Sequence, residues 1–151
     1  MPVGAFVAKE SVMQWKPGAH GTTYGGNPVC LASAMATMEL IEGGLMANAK
    51  SIGDYIFGKI GDWPRKFRVV GDVRGKGLMI GIEIVRDQKT KEKAADLRNS
   101  ILVSAFRKGL LTLGSGENSI RMSPPLIIDE EQADCAISIM EQCFREAEKS
   151  L

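Results

Sequence analysis

A nine-residue segment, His20–Pro28, concentrates side chains and backbone groups that can hold an anion. Thr22 and Thr23 contribute hydroxyls, glycines leave the backbone open to a ligand, and Asn27 before proline is typical of a helix N-terminus. Because the N-terminus of a helix carries about half a positive charge, its N–H groups and the threonine hydroxyls can bind a phosphate. The alternative is structural: the glycines form a tight turn, and Asn27 only caps the helix.

Arg121 is the second candidate for chemistry. It lies in a short apolar run, between Ile120 and Met122, that ends at Pro124-Pro125. A guanidinium can bind a substrate carboxylate through two parallel N–H···O bonds, for which the ammonium of lysine is less suited. The alternative is a solvent-facing strand residue or a member of a structural ion pair, as for most arginines.

Other motifs predict no further chemistry. Gly75-Lys76-Gly77 followed by Gly81 has the wrong spacing for a dinucleotide-binding loop and leads into a strand, so it predicts a hairpin turn. His20 is the single histidine, and no nucleophile is marked beside it as a triad requires. No cluster of histidine and cysteine has metal-ligand spacing, so no metal is expected.

The bulk composition predicts a soluble cytoplasmic protein without nucleic-acid or membrane partners. Lysine and arginine total 19 against 18 acidic residues, which leaves no basic footprint for a polyanion. Cys135 and Cys143 fall eight residues apart in one predicted helix, roughly 12 Å, too far for a disulfide, and Cys30 makes the number odd. Reduced thiols, no export signal and no apolar stretch of about 18 residues are expected.

Periodicity and turn signals predict an α/β fold in which helices pack on a small sheet. The apolar run Val3–Ala8 predicts a buried strand, and Val29–Glu42 a helix buried nearly all round up to Gly43-Gly44. Asp129 and Gln132 predict a capping box at the last helix. The other predicted elements are a helix over 45–61, strands over 67–74 and 78–85, a helix from 94 to Gly109, and short strands over 110–113 and 119–123.

Three stretches, taken together with Met1-Pro2-Val3-Gly4-Ala5, resemble the class III aminotransferases that include the 4-aminobutyrate, ornithine and acetylornithine enzymes. The stretches are Gly21-Thr22-Thr23-Tyr24-Gly25-Gly26-Asn27-Pro28, Val73-Arg74-Gly75-Lys76-Gly77-Leu78 and Arg121-Met122-Ser123-Pro124-Pro125-Leu126. The resemblance implies that Thr23, with Thr22 beside it, binds the phosphate of pyridoxal 5'-phosphate in the neighbouring subunit of a dimer. It implies that Arg121 binds a substrate carboxylate and that the Val73–Leu78 stretch has a folding role.

The same resemblance implies that the chain is the C-terminal part of a fold-type I enzyme. Residues 1–27 are then a remnant of the large cofactor-binding domain, 28–44 a connecting helix, and 45–151 a small α/β domain with a mostly antiparallel sheet. In the family the Schiff-base lysine lies just before the point that matches Met1, so this chain by itself is expected to be inactive. No catalytic residue is therefore assigned.

The activity that the resemblance implies is transfer of an amino group from an ω-amino acid, 4-aminobutyrate first, to 2-oxoglutarate. The alternatives are a portion of an ornithine or acetylornithine aminotransferase, and a noncatalytic interaction module derived from the fold. The expected partners are the small amino and 2-oxo acids and either a second copy of the chain or the lysine-bearing N-terminal part.

Overall fold

The computed structural model describes residues 2–149 and divides the chain into two compact units, Met1–Gly44 and Leu45–Leu151. The first unit contains helix α1 (Pro28–Leu40), which runs into a π-helical turn at Ile41–Leu45. The elements of the second unit are α2 (Met46–Ile60), α3 (Trp63–Lys66), β1 (Val70–Lys76), β2 (Met79–Asp87), β3 (Glu92–Lys93), α4 (Ala95–Arg107), β4 (Leu113–Ser115), β5 (Ser119–Met122) and α5 (Glu130–Glu148).

The first unit begins without regular structure. Residues 2–27 form turns and irregular backbone and, apart from partly buried Asn27, are exposed, so the predicted strand over Val3–Ala8 is wrong. An extended segment becomes a strand only when another strand satisfies its N–H and C=O groups, and none pairs with this one among residues 2–149. Met1 lies outside the described residues.

Helix α1 has the predicted start but not the predicted burial. Its apolar side chains face solvent, with Val29, Met35 and Leu40 62%, 64% and 66% exposed, and Cys30 is its one buried residue. A helix without a polar face is buried only where a second surface covers it. The break at Gly43-Gly44 is confirmed, because Gly44 has a non-helical backbone (φ 158°, ψ −21°).

The helical run Pro28–Lys66 is apolar enough to meet the length and composition criteria for a membrane span. An 18-residue window in it has a mean hydropathy of 1.4, and 6% of that window is buried. The expectation that no such stretch occurs is therefore wrong. The criterion is weak evidence for a span, since helices from the core of soluble proteins have the same composition.

The second unit is an antiparallel sheet with helices on one face, as the sequence predicts. Its strands run in the order β1-β2-β5-β4, and β3 pairs with β2 beyond this path. Helices α2 and α4 contact the sheet, and α5 packs against both of them. Strand β4 begins at Leu113 rather than at the predicted residue 110, and residues 110–112 lead into it as irregular backbone.

The core lies between this sheet and the helices. Strand β2 contributes Ile80, Ile82 and Ile84, none more than 1% exposed, and its alternate residues point to the other face. Trp63, Phe67 and Phe144 form an aromatic cluster with ring centroids 5.1–6.2 Å apart. The predicted capping box is confirmed at the start of α5: Gln132 N–H donates to Asp129, and the Gln132 side chain accepts from Asp129 N–H.

The β1–β2 hairpin packs directly on helix α2 through two glycines. The hairpin is confirmed, but its turn lies later than predicted: Gly75 and Lys76 belong to β1, and the last pair of the ladder joins Lys76 to Met79. Gly77 and Leu78 form the two-residue turn, and Gly77 has a φ of +54° that favours glycine. A Cβ atom on Gly53 in α2 would lie 2.5 Å from the carbonyl carbon and oxygen of Gly77. The hairpin therefore depends on the absence of a side chain at Gly53.

Gly53→Ala is expected to destabilise the protein by about 1–3 kcal/mol, because the new methyl overlaps backbone that cannot rotate away. Gly58, in the same helix, is exposed and has open space at the Cβ position, so Gly58→Ala should stabilise by roughly 0.5–1 kcal/mol. Urea denaturation followed by circular dichroism measures both. Equal effects of the two substitutions would contradict the close packing of α2 on the hairpin.

Candidate anion-binding site

Thr22 and Thr23 lie in an exposed turn immediately before α1. Gly25 N–H donates to the Thr22 carbonyl (3.3 Å), and Asn27 N–H donates to the Tyr24 carbonyl (3.2 Å). Neither threonine hydroxyl makes a hydrogen bond to any of residues 2–149. Both hydroxyls are thus available to an anion, and the glycines around them leave the approach open.

The N-terminus of α1 does not offer the free donors that the sequence suggests. The side-chain oxygen of Asn27 accepts from the N–H groups of Val29 (3.0 Å) and Cys30 (3.3 Å), and its carbonyl accepts from Leu31 (3.0 Å). Pro28 has no N–H. For Asn27 the structural alternative is therefore correct, since its side chain caps the helix. An anion at this turn would have to be bound by the threonine hydroxyls.

Arg121 lies on the open face of the sheet, in the second unit. It is exposed while its neighbours on β5, Ile120 and Met122, are buried. Across the ladder it is paired with Gly81 on β2 and Leu113 on β4. Its guanidinium has no hydrogen bond or ion pair with any described residue, so the alternative of a structural ion pair does not apply. The exposed, unpaired side chain fits both the solvent-facing alternative and a guanidinium that is open to a carboxylate.

A groove of about 440 Å³ runs along this open face beside Arg121. Its lining includes Arg74 and Lys76 from β1 and the hydroxyls Ser115 and Ser119, and no carboxylate side chain. Sequence reasoning gave the Val73–Leu78 stretch only a folding role and missed these two cations. Their spacing in the sequence indicated this arrangement, because residues two apart on a strand point to the same face of the sheet.

The loop between β4 and β5 is tied to the sheet, which positions the start of β5. Asn118 is 5% exposed; its side-chain amide donates to the Ile84 carbonyl (2.7 Å), and its carbonyl accepts from Ile84 N–H (2.9 Å). The ammonium of Lys93 forms an ion pair with Glu117 and lowers the pKa of that carboxyl. Arg98 adds hydrogen bonds to the carbonyls of Glu117 and Ser119, both at 3.2 Å.

Comparison with solved structures defines the class of protein to which this fold belongs. An amine transaminase from an uncultivated Pseudomonas species, solved with pyridoxal phosphate bound, matches with a TM-score of 0.80 and 34% sequence identity. The match covers 85% of this chain and 30% of the transaminase. The fold is thus a portion of a fold-type I pyridoxal-phosphate-dependent transaminase.

The family follows from the sequence comparison. The model of the aminotransferase class-III family matches residues 1–144. The chain belongs to this family, whose members depend on pyridoxal phosphate.

The curated relatives have several activities. A leucine/methionine racemase of Thermococcus litoralis is 34% identical over 151 residues, and an acetylornithine aminotransferase of Clostridium acetobutylicum is 37% identical over 147. A 5-aminovalerate aminotransferase of Pseudomonas aeruginosa is 33% identical over 149 residues. These matches cover 99%, 95% and 96% of this chain, but 34%, 35% and 35% of the relatives, so the chain spans about a third of their length.

Asn118→Ala is expected to lower the free energy of unfolding by about 0.5–1.5 kcal/mol, because the Ile84 carbonyl loses its side-chain donor at 2.7 Å and keeps only the Ala94 N–H at 3.3 Å. Asn99→Ala is the control: Asn99 is exposed, and within residues 2–149 its side chain bonds only to neighbouring Arg98, so the change should stay within about 0.5 kcal/mol. Urea denaturation measures both. A loss at Asn118 no larger than at Asn99 would show that this bond does not hold the loop.

Proposed function

We propose that this chain is the C-terminal portion of an aminotransferase that moves an amino group from an ω-amino acid, 4-aminobutyrate first, to 2-oxoglutarate. The observation that carries the proposal is the guanidinium of Arg121, which is unpaired among the described residues and lies on the open face of the sheet in a chain of the class-III family. In this proposal residues 1–27 belong to the large domain, 28–44 form the connecting helix, and 45–151 form the small domain. The enzyme acts in the cytoplasm.

The chain's own residues bind and orient rather than transfer protons. Arg121 binds the carboxylate of the amino or oxo acid through a bidentate pair, which sets the direction of the rest of the substrate. Thr22 and Thr23 fit the phosphate end of pyridoxal phosphate, since both hydroxyls are exposed and unpaired among residues 2–149. Bound pyridoxal phosphate supplies an electron sink for charge that develops at the substrate carbon.

The preference for an ω-amino acid is supported by two of the relatives. Acetylornithine and 5-aminovalerate both carry the reacting amino group at the end of the chain distant from the carboxylate, and 5-aminovalerate exceeds 4-aminobutyrate by one methylene. A portion of an acetylornithine or ornithine aminotransferase remains the alternative substrate assignment. The similarity to a leucine/methionine racemase supports amino-acid racemisation as a second candidate function.

The proposal includes association with a lysine-bearing N-terminal part or with a second copy of the chain. Helix α1 supports it, because exposed apolar side chains concentrated on one helix are typical of an interface. They lie on more than one side of the helix and are Val29, Leu31, Met35, Met38 and Leu40, each at least 45% exposed. The competing hypothesis is a noncatalytic module that uses the same surface for binding alone.

The chain by itself is expected to show no turnover, because no lysine in it is assigned to bind the cofactor. The test measures pyridoxal-phosphate absorbance, transamination of 4-aminobutyrate with 2-oxoglutarate, and racemisation of leucine, for the chain alone and mixed with a lysine-bearing N-terminal part. Transamination in the mixture only supports the proposal, and racemisation without a 2-oxo acid favours the second candidate. Turnover by the chain alone would contradict the expectation that this chain is inactive by itself. If the two parts fold and associate but the mixture is inactive, the noncatalytic module is favoured.

Arg121→Gln is expected to lower kcat/KM of the active mixture by about 10–100-fold, since a hydrogen bond to a charged group contributes roughly 1.5–3 kcal/mol. Arg107→Gln is the matched control, because Arg107 is exposed on α4 and does not line the groove beside Arg121. Steady-state kinetics with 4-aminobutyrate measure both. If the two variants have the same kcat/KM, Arg121 does not bind the substrate.

Thr23→Val and Thr22→Val are each expected to raise the Kd of the mixture for pyridoxal phosphate by about tenfold, since each removes a donor to a charged phosphate. Thr37→Val serves as the control, because its hydroxyl already donates to the Ser33 carbonyl at 2.8 Å within α1. Titration of cofactor absorbance gives the affinities. If neither Thr22 nor Thr23 affects the Kd, the turn has a structural role only.

A further inference from the structure

Three aromatic side chains of the first unit, Phe6, Trp15 and His20, contact one another and form an aromatic cluster. The ring centroids of Phe6 and Trp15 lie 5.6 Å apart, and each lies 5.4 Å from the centroid of the His20 ring. His20 stacks on Trp15 with an interplanar angle of 10°, and Phe6 meets Trp15 edge-on at 61°. Stacked and edge-on pairs at such distances are attractive beyond the area that they bury.

A tight turn over residues 16–19 brings Trp15 and His20 together. The N–H group of its last residue donates to the carbonyl of its first residue (3.1 Å), and Gly18 has a φ of +85°. Pro17 before a residue with positive φ is typical of a type II turn. The chain reverses its direction in this turn, so the residues just before and just after it meet.

A second turn lies between Phe6 and Trp15. The N–H groups of Val12 and Met13 both donate to the carbonyl of Lys9, at 2.9 and 3.1 Å. The irregular segment is thereby closed on itself, with its first and last aromatic rings in contact.

The turn that carries Thr22 and Thr23 follows this cluster directly. Its far end is fixed by Asn27, which caps α1. Among the described residues, 21–26 make no hydrogen bond to any residue that precedes them. The ring contacts of His20, two positions before Thr22, are therefore the interaction that fixes the near end of the turn.

We propose that Phe6, Trp15 and His20 are positioning residues for the cofactor phosphate, and that their ring contacts order the threonine turn before the phosphate binds. The inference rests on the proposed role of Thr22 and Thr23. A turn that is free at one end has to be ordered during binding, and the entropy that it loses weakens the affinity. In this proposal the three rings do not touch the phosphate, and they act through the backbone.

The first measurement is the backbone order of residues 21–26 in the purified full chain, from ¹⁵N NMR relaxation. Trp15→Ala is expected to lower the order parameters of these amides from about 0.85 to below about 0.6, the range of flexible backbone. Trp15→Phe keeps a ring and should keep most of the order. Val12→Ala is the matched control, because Val12 lies in the same segment with a side chain that is 67% exposed. Unchanged order in Trp15→Ala would overturn the proposal.

The second measurement is the Kd for pyridoxal phosphate of the chain mixed with the lysine-bearing N-terminal part, from titration of cofactor absorbance. Trp15→Ala is expected to raise this Kd by about 3–10-fold, since it removes two of the three ring contacts. In a chain that carries both Thr22→Val and Thr23→Val, the same substitution should change the Kd by less than about twofold. Effects that multiply instead would show that Trp15 does not act through the threonine turn.

Gly18→Ala tests the cluster without removing a ring. An alanine is strained at a φ of +85°, so the turn over residues 16–19 should open and separate His20 from Trp15. Lower order in residues 21–26 and a higher Kd, as in Trp15→Ala, would support the proposal, and wild-type values in both variants would overturn it.

The outcomes separate this inference from the function on which it rests. If Thr22→Val and Thr23→Val leave the Kd unchanged, the proposed cofactor-binding role of the turn fails, and the positioning role fails with it. If these two substitutions weaken binding while Trp15→Ala does not, the role of the threonines stands and that of the aromatic cluster is overturned. Thermal unfolding of each variant confirms that the comparison is between folded proteins.

Discussion

Strand β2 can bury only one of its two faces, and the positions of the charged residues of the sheet depend on this constraint. Ile80, Ile82 and Ile84 are buried against the helices, and a shift of one residue would expose all three and bury Gly81 and Glu83 instead. The register of β2 with both neighbouring strands is therefore strongly specified. Through that register, Arg74 and Arg121 are brought to the same row of the open face.

Two local contacts keep the strands that carry these arginines in place. Gly53 allows the backbone of the β1–β2 turn to approach α2, and buried Asn118 ties the loop before β5 to the main chain of β2. Neither contact touches the groove. Each contact fixes the position of a guanidinium indirectly, through the packing of the backbone. A substrate-binding group that is misplaced by about 1 Å can lower activity by a large factor. In the proposed function, substrate binding on the open face thus depends on packing beneath it.

In the first unit, local interactions account for the turn before α1 but not for the apolar surface of α1. The turn before α1 is determined locally, since Asn27 satisfies the first helical N–H groups and leaves the hydroxyls of Thr22 and Thr23 exposed. The apolar surface of α1 has no such local explanation. A chain that spans about a third of the length of its relatives carries this helix with its apolar side chains exposed, which is consistent with an interface in the proposed enzyme.

The sequence by itself determined the features that depend on neighbouring residues: the start of α1 at Asn27-Pro28, the break at Gly43-Gly44, the hairpin after β1 and the capping box of α5. Motif order also indicated the family, which the comparisons confirmed. The exposure of α1 and the absence of a strand at Val3–Ala8 followed from tertiary structure, because burial and strand pairing need a second surface that local pattern cannot supply. Only the sheet register placed Arg74 beside Arg121, since residues 47 positions apart in the chain meet through pairing with a third strand.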